Sequence, residues 1–385
     1  MNALETMRNF CSGRPTVSPS FAPARHNVMF ARFVASSLGL MLAVVSVVPA
    51  AFAADAPLRV FAVTPDLGDL ARQVGGDRVV VTEMIKGRDD PHFAEAKPSF
   101  IKELSRADLF VQVGLEMEVG YVSLLLQGAR NPQVLSGAPG FVDASRAIIP
   151  LDVPTGVIDR SMGDVHAFGS PHYLLDPVRA FDVARLLASK MKDLQPASAA
   201  YFAARLADFR DRMSKAMVGE TLAAKYDAFK LAELAERGGL VTFLDQQGDR
   251  AALGGWFAAM LPWSGTRVVD DHAMWSYFAR RFGLVVVGHL EPKPGVPPST
   301  SHLASLVKKM EADDVKAVVT SPYYDPRHAR FVAQATGAEV IELSHQTGGR
   351  DGAADYLAMI DFNVRAVAAG LAKKQRRDAL ETGAP

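Results

Sequence analysis

The feature that most constrains the fold of this chain is an alternation of short β-branched runs with helical stretches, which begins at Leu58. The runs have the length of buried strands, and the segments between them carry apolar residues three and four positions apart. The predicted strands are 58–63, 79–84, 109–113, 240–243, 267–270, 284–287, 317–319 and 339–343. Such alternation is typical of parallel sheets with helices on both faces. We therefore predict an α/β fold with two parallel-sheet lobes.

A long helical block divides the two series of strands. Its second helix, which follows Pro196, carries one stripe of large apolar residues: Phe202, Leu206, Phe209, Met213 and Met217. We interpret this stripe as core packing and the helix as a rigid connection, with a ligand cleft between the lobes. The predicted division is an N-terminal lobe over 55–195, a linking helix over 196–230, a C-terminal lobe over 235–372 and a flexible tail over 373–385. Residues 248–265 are predicted to form an irregular loop.

The N-terminus has the pattern of a secretory signal peptide. Arg32 precedes an apolar run centred on residues 38–48, and Ala51-Phe52-Ala53 is a small-x-small cleavage site. We therefore expect residues 1–53 to be a leader and signal peptide and the mature chain to be periplasmic. Met1 and Met29 both remain candidate start sites.

Composition excludes several kinds of site. Cys11 is the only cysteine and lies in the leader, so the expected mature chain has neither disulfides nor thiolate metal ligands. Removing four Arg and one Glu with the leader from the 42 residues of each sign leaves 38 basic and 41 acidic residues. A balance this close to neutral does not indicate a nucleic-acid partner.

Four histidines follow predicted strands, two in each half of the chain. They are His92, His172, His272 and His345. The carboxyl ends of parallel strands are where α/β folds present ligands, and neutral imidazole suits zinc and similar ions. The chain has no HExxH motif, so a metalloprotease helix is not predicted.

The motifs around these histidines resemble the periplasmic zinc- and manganese-binding proteins of ABC importers. Asp89-Asp90-Pro91-His92 followed by Pro98-Ser99 is similar to the first motif of that family, and Ser170-Pro171-His172-Tyr173-Leu174-Leu175-Asp176-Pro177 is similar to the second. The third resemblance begins at His272, and Glu291-Pro292 and Thr336-Gly337-Ala338 follow in family order. The resemblance covers nearly all of residues 58–370.

The resemblance implies that His92, His172 and His272 bind the metal directly. The fourth family position is usually an Asp, and His345 occupies it here. We predict His345 as the fourth ligand, with Glu342 or a water molecule as the alternatives. Four imidazoles favour zinc as the bound ion, with manganese as the second choice.

Other polar residues near the motifs are assigned further roles. His166 is interpreted either as an auxiliary metal-gathering residue, with Asp164 nearby, or as part of a surface loop. Glu116 and Glu118 are interpreted either as acceptors for a ligand imidazole or as residues of an exposed turn. Asp176 is predicted to cap the helix that begins at Pro177.

The function that the resemblance implies is that of a solute-binding protein, not of an enzyme. It would capture a divalent metal, with zinc as the favoured ion, and deliver it as a monomer to the permease of an ABC importer in the inner membrane. The alternative is a zinc hydrolase with three histidines and an open position, for which Glu342 or Asp271 would be the general base. A third hypothesis is a binder of an organic ligand such as a metal chelate.

Overall fold

A computed structural model describes residues 56–156, 166–293 and 295–382. The predicted leader and signal peptide, Asp164 and the last three residues lie outside the described residues. The described residues form two four-stranded, all-parallel sheets, which confirms the predicted α/β fold class. Among the helices of the described part, none is both long and apolar enough to span a membrane.

The first lobe has the strand order β2-β1-β3-β4. Its strands are β1 Leu58–Ala62, β2 Val79–Glu83, β3 Leu109–Gln112 and β4 Phe141–Asp143, and its helices are α1 Pro65–Gly75, α2 Pro98–Leu104 and α3 Val122–Ala129. The local sequence explains where the first helix begins. Pro65 provides the φ of a first helical residue, and the hydroxyl of Thr64 accepts a hydrogen bond from the backbone N–H of Leu67.

Two long helices connect the lobes: α4 Pro177–Leu194 and α5 Ala199–Val218. The predicted stripe on α5 faces the core, since Phe202, Phe209, Met213 and Met217 are fully buried and Leu206 packs against them. Asp176 caps α4, as predicted, by accepting a hydrogen bond from the backbone N–H of Val178 at 2.9 Å.

The second lobe has the strand order β6-β5-β7-β8. Its strands are β5 Arg267–Asp270, β6 Val285–His289, β7 Ala317–Thr320 and β8 Glu339–Glu342. Its helices are α6 Glu220–Lys225, α7 Ala228–Glu236, α8 Leu240–Gln247, α9 Gly255–Met260, α10 Ser276–Phe282, α11 Thr300–Ala312, α12 Pro326–Thr336 and α13 Tyr356–Thr382.

Three sequence predictions about this half are wrong. The strand predicted over 240–243 belongs to α8, where Leu240 and Leu244 are buried at helical spacing. A short apolar run does not distinguish a strand from a helix, and packing made the choice. The loop predicted over 248–265 contains α9, which buries Trp256, Phe257 and Met260.

The flexible tail predicted from residue 373 is helical as far as Thr382. Two basic side chains of α13 hold this segment against β8. Lys373 and Arg377 lie 2.5 and 3.1 Å from the carboxylate of Glu339, which is largely buried. The charged composition of this segment indicated a solvated end. The sequence did not reveal the ion-pair partner, because Glu339 on β8 is more than thirty residues away.

The apolar core is continuous between the lobes. One large cluster includes β1 and β3 of the first sheet, the connecting helices, and β5 and β7 of the second sheet. Two smaller clusters lie on the outer faces, one under α2 and α3 and the other under α11 and α12. Both sheets are therefore covered on both faces, as all-parallel sheets require. A shared core opposes wide separation of the lobes, because opening would expose apolar surface.

Close backbone contact between α9 and the connecting helix α5 gives a stability prediction. Gly255 has φ +61°, and a Cβ there would lie 2.2 Å from the carbonyl oxygen of Ala216. We expect Gly255→Ala to lower the free energy of unfolding by about 3 kcal/mol, through left-handed strain of about 1–2 kcal/mol plus the clash. Urea denaturation measures this change. The control is Gly248→Ala, at φ +71° with no atom within 4 Å of the added Cβ, which should cost about 1 kcal/mol. Equal losses in the two variants would show that the clash relaxes without cost.

Candidate metal centre

His92 lies in a tight turn that follows β2. Asp90 begins the turn, and its carboxylate accepts a hydrogen bond from the backbone N–H of His92 at 2.9 Å. The same oxygen lies 2.8 Å from Nδ1 of the His92 ring. Because an ionised carboxylate can only accept, Nδ1 carries the hydrogen and Nε2 keeps its lone pair. Asp90 therefore fixes the tautomer that a metal needs at Nε2.

His272 follows β5 in the second lobe and has an equivalent partner. Its Nδ1 lies 3.1 Å from the carboxylate of Glu291, which also accepts the backbone N–H of Gly295 at 3.0 Å. The ring of Tyr324 stacks on His272, with centroids 6.1 Å apart and planes at 21°. His272 is buried, and Glu291 again leaves Nε2 as the free nitrogen.

His172 is buried in the turn before α4. Its Nδ1 lies 3.0 Å from Nε2 of His345. Its own Nε2 is buried and has no hydrogen-bond partner among the described residues. Burial and the neighbouring imidazoles keep the pKa of His172 well below its usual value, so the ring is neutral. A buried nitrogen without a partner is costly, and a metal ion at this position would provide one.

These three rings surround a common point. The centroid distances are 5.4 Å for His92 and His172, 5.7 Å for His92 and His272, and 5.6 Å for His172 and His272. One ligand atom from each ring lies within 4.8 Å of the other two. Imidazoles on one zinc ion, with bonds of about 2.0–2.1 Å, have ring centres about 5 Å apart. The structure thus brings together three of the four histidines predicted as ligands, from two different lobes.

The fourth predicted histidine, His345, lies in the turn after β8 and is not a member of this group of three. It contacts His172 and packs between the rings of Trp275 and Tyr323, with centroids 6.3 and 5.8 Å away. Burial lowers the pKa of His345 to about 3. The alternative fourth ligand, Glu342, is exposed and paired with Arg350 at 2.8 Å, so the structure places it outside the site.

His166, for which the sequence left two interpretations open, is likewise not a member of the group of three and lies beside it. Its Nε2 is 3.3 Å from Nε2 of His92, and the two rings are 5.4 Å apart at 25°. Its ring also lies 6.3 Å from that of His172. Burial lowers the pKa of His166 to about 3. The described site therefore contains five imidazoles.

The two carboxylates nominated as imidazole acceptors do not fill that role. Glu118 is buried and accepts the backbone N–H groups of Val113 and Gly114 at 2.6 and 3.0 Å. Glu116 accepts the backbone N–H of Ala167 at 2.6 Å. The acceptors in the structure are Asp90 and Glu291. Both lie in the quoted motifs, and their presence there was the signal that could have identified them.

Neither carboxylate nominated as the general base of a hydrolase is placed for that role. Asp271, one nominee, is buried and its carboxylate accepts the backbone N–H of Ser321. Glu342, the other, is turned to solvent. A general base must reach a metal-bound water molecule, and neither carboxylate is free to do so in this arrangement.

Asp66 on α1 holds the turn that carries His345. Its carboxylate accepts both the backbone N–H and the hydroxyl of Thr347 at 2.6 Å, across 281 residues of sequence. Burial raises the pKa of Asp66 to about 7, although the bonds from Thr347 act in the opposite direction. The folded state thus carries an acid whose ionised form is poorly solvated.

A pH-dependent stability difference follows. Because the folded pKa of Asp66 is raised from 3.8 to about 7, the stability present below about pH 4 is lost as the pH rises through about 7. Asp66→Asn should therefore be more stable than the wild type at pH 8, by on the order of 2–4 kcal/mol at about 1.4 kcal/mol per pKa unit. The stability difference between Asp66→Asn and the wild type should be smaller at pH 5. Thermal melts of metal-free protein at both pH values measure it, and Asp351→Asn, at an exposed carboxylate, is the control. A gap that does not change with pH would contradict the shift.

Comparison with known proteins places this arrangement among metal-binding components of importers. A family profile described as ZnuA, zinc-uptake complex component A, periplasmic, matches residues 60–228 and 251–370. The manganese ABC transporter substrate-binding lipoprotein PsaA of Streptococcus pneumoniae is 20% identical over 321 residues, which cover 82% of this chain and 90% of that protein. The metal ABC transporter substrate-binding lipoprotein FimA of Streptococcus parasanguinis is 21% identical over 325 residues, 83% of this chain and 91% of the relative.

Solved structures show the same fold. A crystal structure of ZnuA superposes with a TM-score of 0.60 at 21% identity and covers 82% of this chain and 99% of that one. The solute-binding protein FpvC of Pseudomonas aeruginosa, in complex with Mn²⁺, gives the same TM-score, identity and coverage.

Proposed function

The chain belongs to the family of periplasmic zinc-uptake component A proteins, and on that premise we propose that it captures one zinc ion outside the cytoplasm. It then delivers the ion to the permease of an ABC importer. The coarser assignment, a substrate-binding protein of metal ABC transporters, follows from the family and its relatives. The identity of the ion and the residues that hold it are the subject of the proposal.

The observation that carries the proposal is the convergence of His92, His172 and His272 on one point from two lobes. Their ring centres are 5.4–5.7 Å apart. Carboxylates hold the outer nitrogens of His92 and His272, and Nε2 of His172 has no partner among the described residues. We propose these three residues as direct ligands. All come from a single chain, so a monomer suffices to bind the ion.

The donor set supports zinc over manganese. Imidazole suits zinc, copper, iron and nickel, whereas manganese is better served by carboxylate, carbonyl and water oxygens. The carboxylates of Asp90 and Glu291 contact the outer ring nitrogens of two ligands, where they act on imidazole basicity. Manganese is the second candidate, because the relative PsaA is described as a manganese ABC transporter substrate-binding lipoprotein.

Delivery to a transporter requires that the protein hold the ion without using it to catalyse a reaction. A fourth protein ligand beside the three histidines would close the shell and leave no open position for an activated water, and the nominated bases are engaged elsewhere. The continuous core between the lobes predicts that release needs only small movements near the ligands, in place of a wide hinge opening.

Elemental analysis of the mature protein tests the proposal. The metal-free chain is dialysed against equimolar zinc and manganese and then against buffer. We expect one zinc per chain and little manganese. A chain that retains manganese in preference to zinc would reverse the choice of ion. A chain that retains neither ion would overturn the capture function itself.

A further inference from the structure

The described site holds five imidazoles, but a tetrahedral zinc ion takes four ligands. One ring must therefore have another role. The sequence motifs favour His345 as the fourth ligand and leave His166 without a fixed assignment. The hydrogen bonds of the rings distinguish the two.

A ring that binds a metal through one nitrogen normally donates the hydrogen of its other nitrogen to an acceptor. Four of the five rings have such an acceptor. His92 faces Asp90, His272 faces Glu291, and Nδ1 of His172 faces Nε2 of His345 at 3.0 Å. The acceptor for His166 is the backbone carbonyl of Leu115, which raises the pKa of His166 against the lowering by burial. Since Nε2 of His166 faces His92, the donor to Leu115 is Nδ1.

These bonds leave two lone pairs facing each other. Nε2 of His92 and Nε2 of His166 are both the unprotonated nitrogens of their rings, and they lie 3.3 Å apart. Two lone pairs at this distance repel each other unless a cation lies close to both. Two nitrogens on one tetrahedral zinc ion, with bonds of about 2.0–2.1 Å, are separated by about 3.3 Å. The pair therefore already has the length of one edge of a zinc shell.

The backbone around His166 is built to hold it there. Glu116 accepts the N–H of Ala167, the residue that follows His166. Leu115 and Glu116 both have positive φ, at 50° and 67°, which is costly for side chains other than glycine. Strained backbone of this kind persists where the surrounding structure demands it, and it is concentrated at functional sites. Here it brings the Leu115 carbonyl and the Glu116 carboxylate to the segment that carries His166.

His345 differs from the other four rings. It is the acceptor for His172, and its own Nδ1 is buried with no partner among the described residues. A cavity of about 20 Å³ borders His172, His345 and Gln346, and it has room for one water molecule. Such a water would bridge Nδ1 of His345 to the side-chain oxygen of Gln346, which also has no partner among the described residues. His345 thus has the geometry of a residue that orients His172.

We infer that His166 is the fourth ligand of the ion held by His92, His172 and His272, and that His345 is a positioning residue for His172. This inference rests on the proposed function. It assigns a ligand to a segment outside the recognised motifs, and it completes the shell with imidazole alone. The hydrogen-bond chain from His172 to His345 then replaces the carboxylate that serves the other motif histidines.

X-ray absorption at the zinc edge tests the assignment, because the scattering from imidazole rings counts how many are bound. We compare zinc-loaded wild type, His166→Ala, His345→Gln and His345→Ala, and measure zinc affinity by chelator competition. His166→Ala should contain three imidazoles and bind about a hundredfold more weakly. His345→Gln keeps an acceptor for His172, so it should keep four imidazoles and lose less than about tenfold, whereas His345→Ala should lose about 10–100-fold.

The opposite pattern would overturn the inference: four imidazoles in His166→Ala and three in His345→Gln. Circular dichroism of the metal-free variants establishes that each has folded. The proposed function fails by a different result, since a wild-type chain that retains no zinc would show no capture at all. A wild type that binds zinc through His345 would leave the function intact and reject only the assignment of His166.

Discussion

Replacing His272 with alanine is expected to lower zinc affinity by at least about a hundredfold. Structural zinc sites with four ligands bind with about 10–16 kcal/mol, so one ligand accounts for about 3 kcal/mol or more. The loss should be at least that share because Glu291, which lies 3.1 Å from Nδ1 of His272, orients this ring and raises its basicity as a ligand. Competition with a chelator of known affinity, at neutral pH, measures the change.

Two further variants serve as comparisons for His272→Ala. Glu291→Ala removes only the carboxylate behind the ring, and we expect it to weaken binding about 10–100-fold. His302→Ala removes a histidine whose Nε2 contacts the backbone oxygen of His289 at 3.0 Å in place of a ligand, and it should leave affinity unchanged. If His272→Ala binds zinc as tightly as His302→Ala does, the ion is held somewhere other than among the three converging rings.

Replacing Arg281 with methionine is expected to lower the free energy of unfolding by about 3–5 kcal/mol. The guanidinium of Arg281 is buried on α10 and makes paired hydrogen bonds with Asp176, which caps α4, at 2.8 and 2.9 Å. It also lies 3.0 Å from Glu236 on α7. Removing one partner of a buried ion pair leaves the remaining charges without compensation, which is the costly case. Arg179 still contacts Asp176, so the loss should not exceed this range.

Urea denaturation of the metal-free protein measures the effect. The control is Arg365→Met, in a pair of the same chemistry with Asp361 at 2.7 Å that is largely exposed. An exposed pair contributes about 0–1 kcal/mol, so this variant should differ little from the wild type. Equal losses of unfolding free energy in the two variants would mean that burial does not increase the contribution of the Arg281 pair to stability.

Much of the fold could be predicted from the sequence because its signals are local. The periodicity of apolar residues identified seven of the eight strands; it missed the short strand β4 and wrongly predicted a strand at 240–243. The stripe on α5 and the Asp176-Pro177 start of α4 were predicted for the same reason. Where local signals were ambiguous, as at residues 240–243 and beyond residue 373, the prediction was wrong, because distant packing partners decided the conformation.

The residues of the candidate site also fall into two groups, those that local sequence identifies and those that it does not. His92, His172 and His272 could be selected because each lies in a short motif that resembles a motif of the family. The role of Glu116 could not be deduced, since its partner lies at Ala167, 51 residues away. The same holds for Asp66 and Thr347, which are separated by 281 residues. No local pattern connects such pairs.

The sequence by itself determined the α/β architecture and the long connecting helices, because strand length, helical spacing and capping act over a few residues. It singled out the three motif histidines as candidates through their resemblance to a known family. The tertiary structure decided which imidazoles meet, which nitrogen each ring turns inward, and that Asp90 and Glu291 hold two of them. It also placed His166 beside His92 and His345 behind His172. Those relations depend on distances of a few ångströms between residues 74 and 173 positions apart, and only the packing of two lobes on one core sets them.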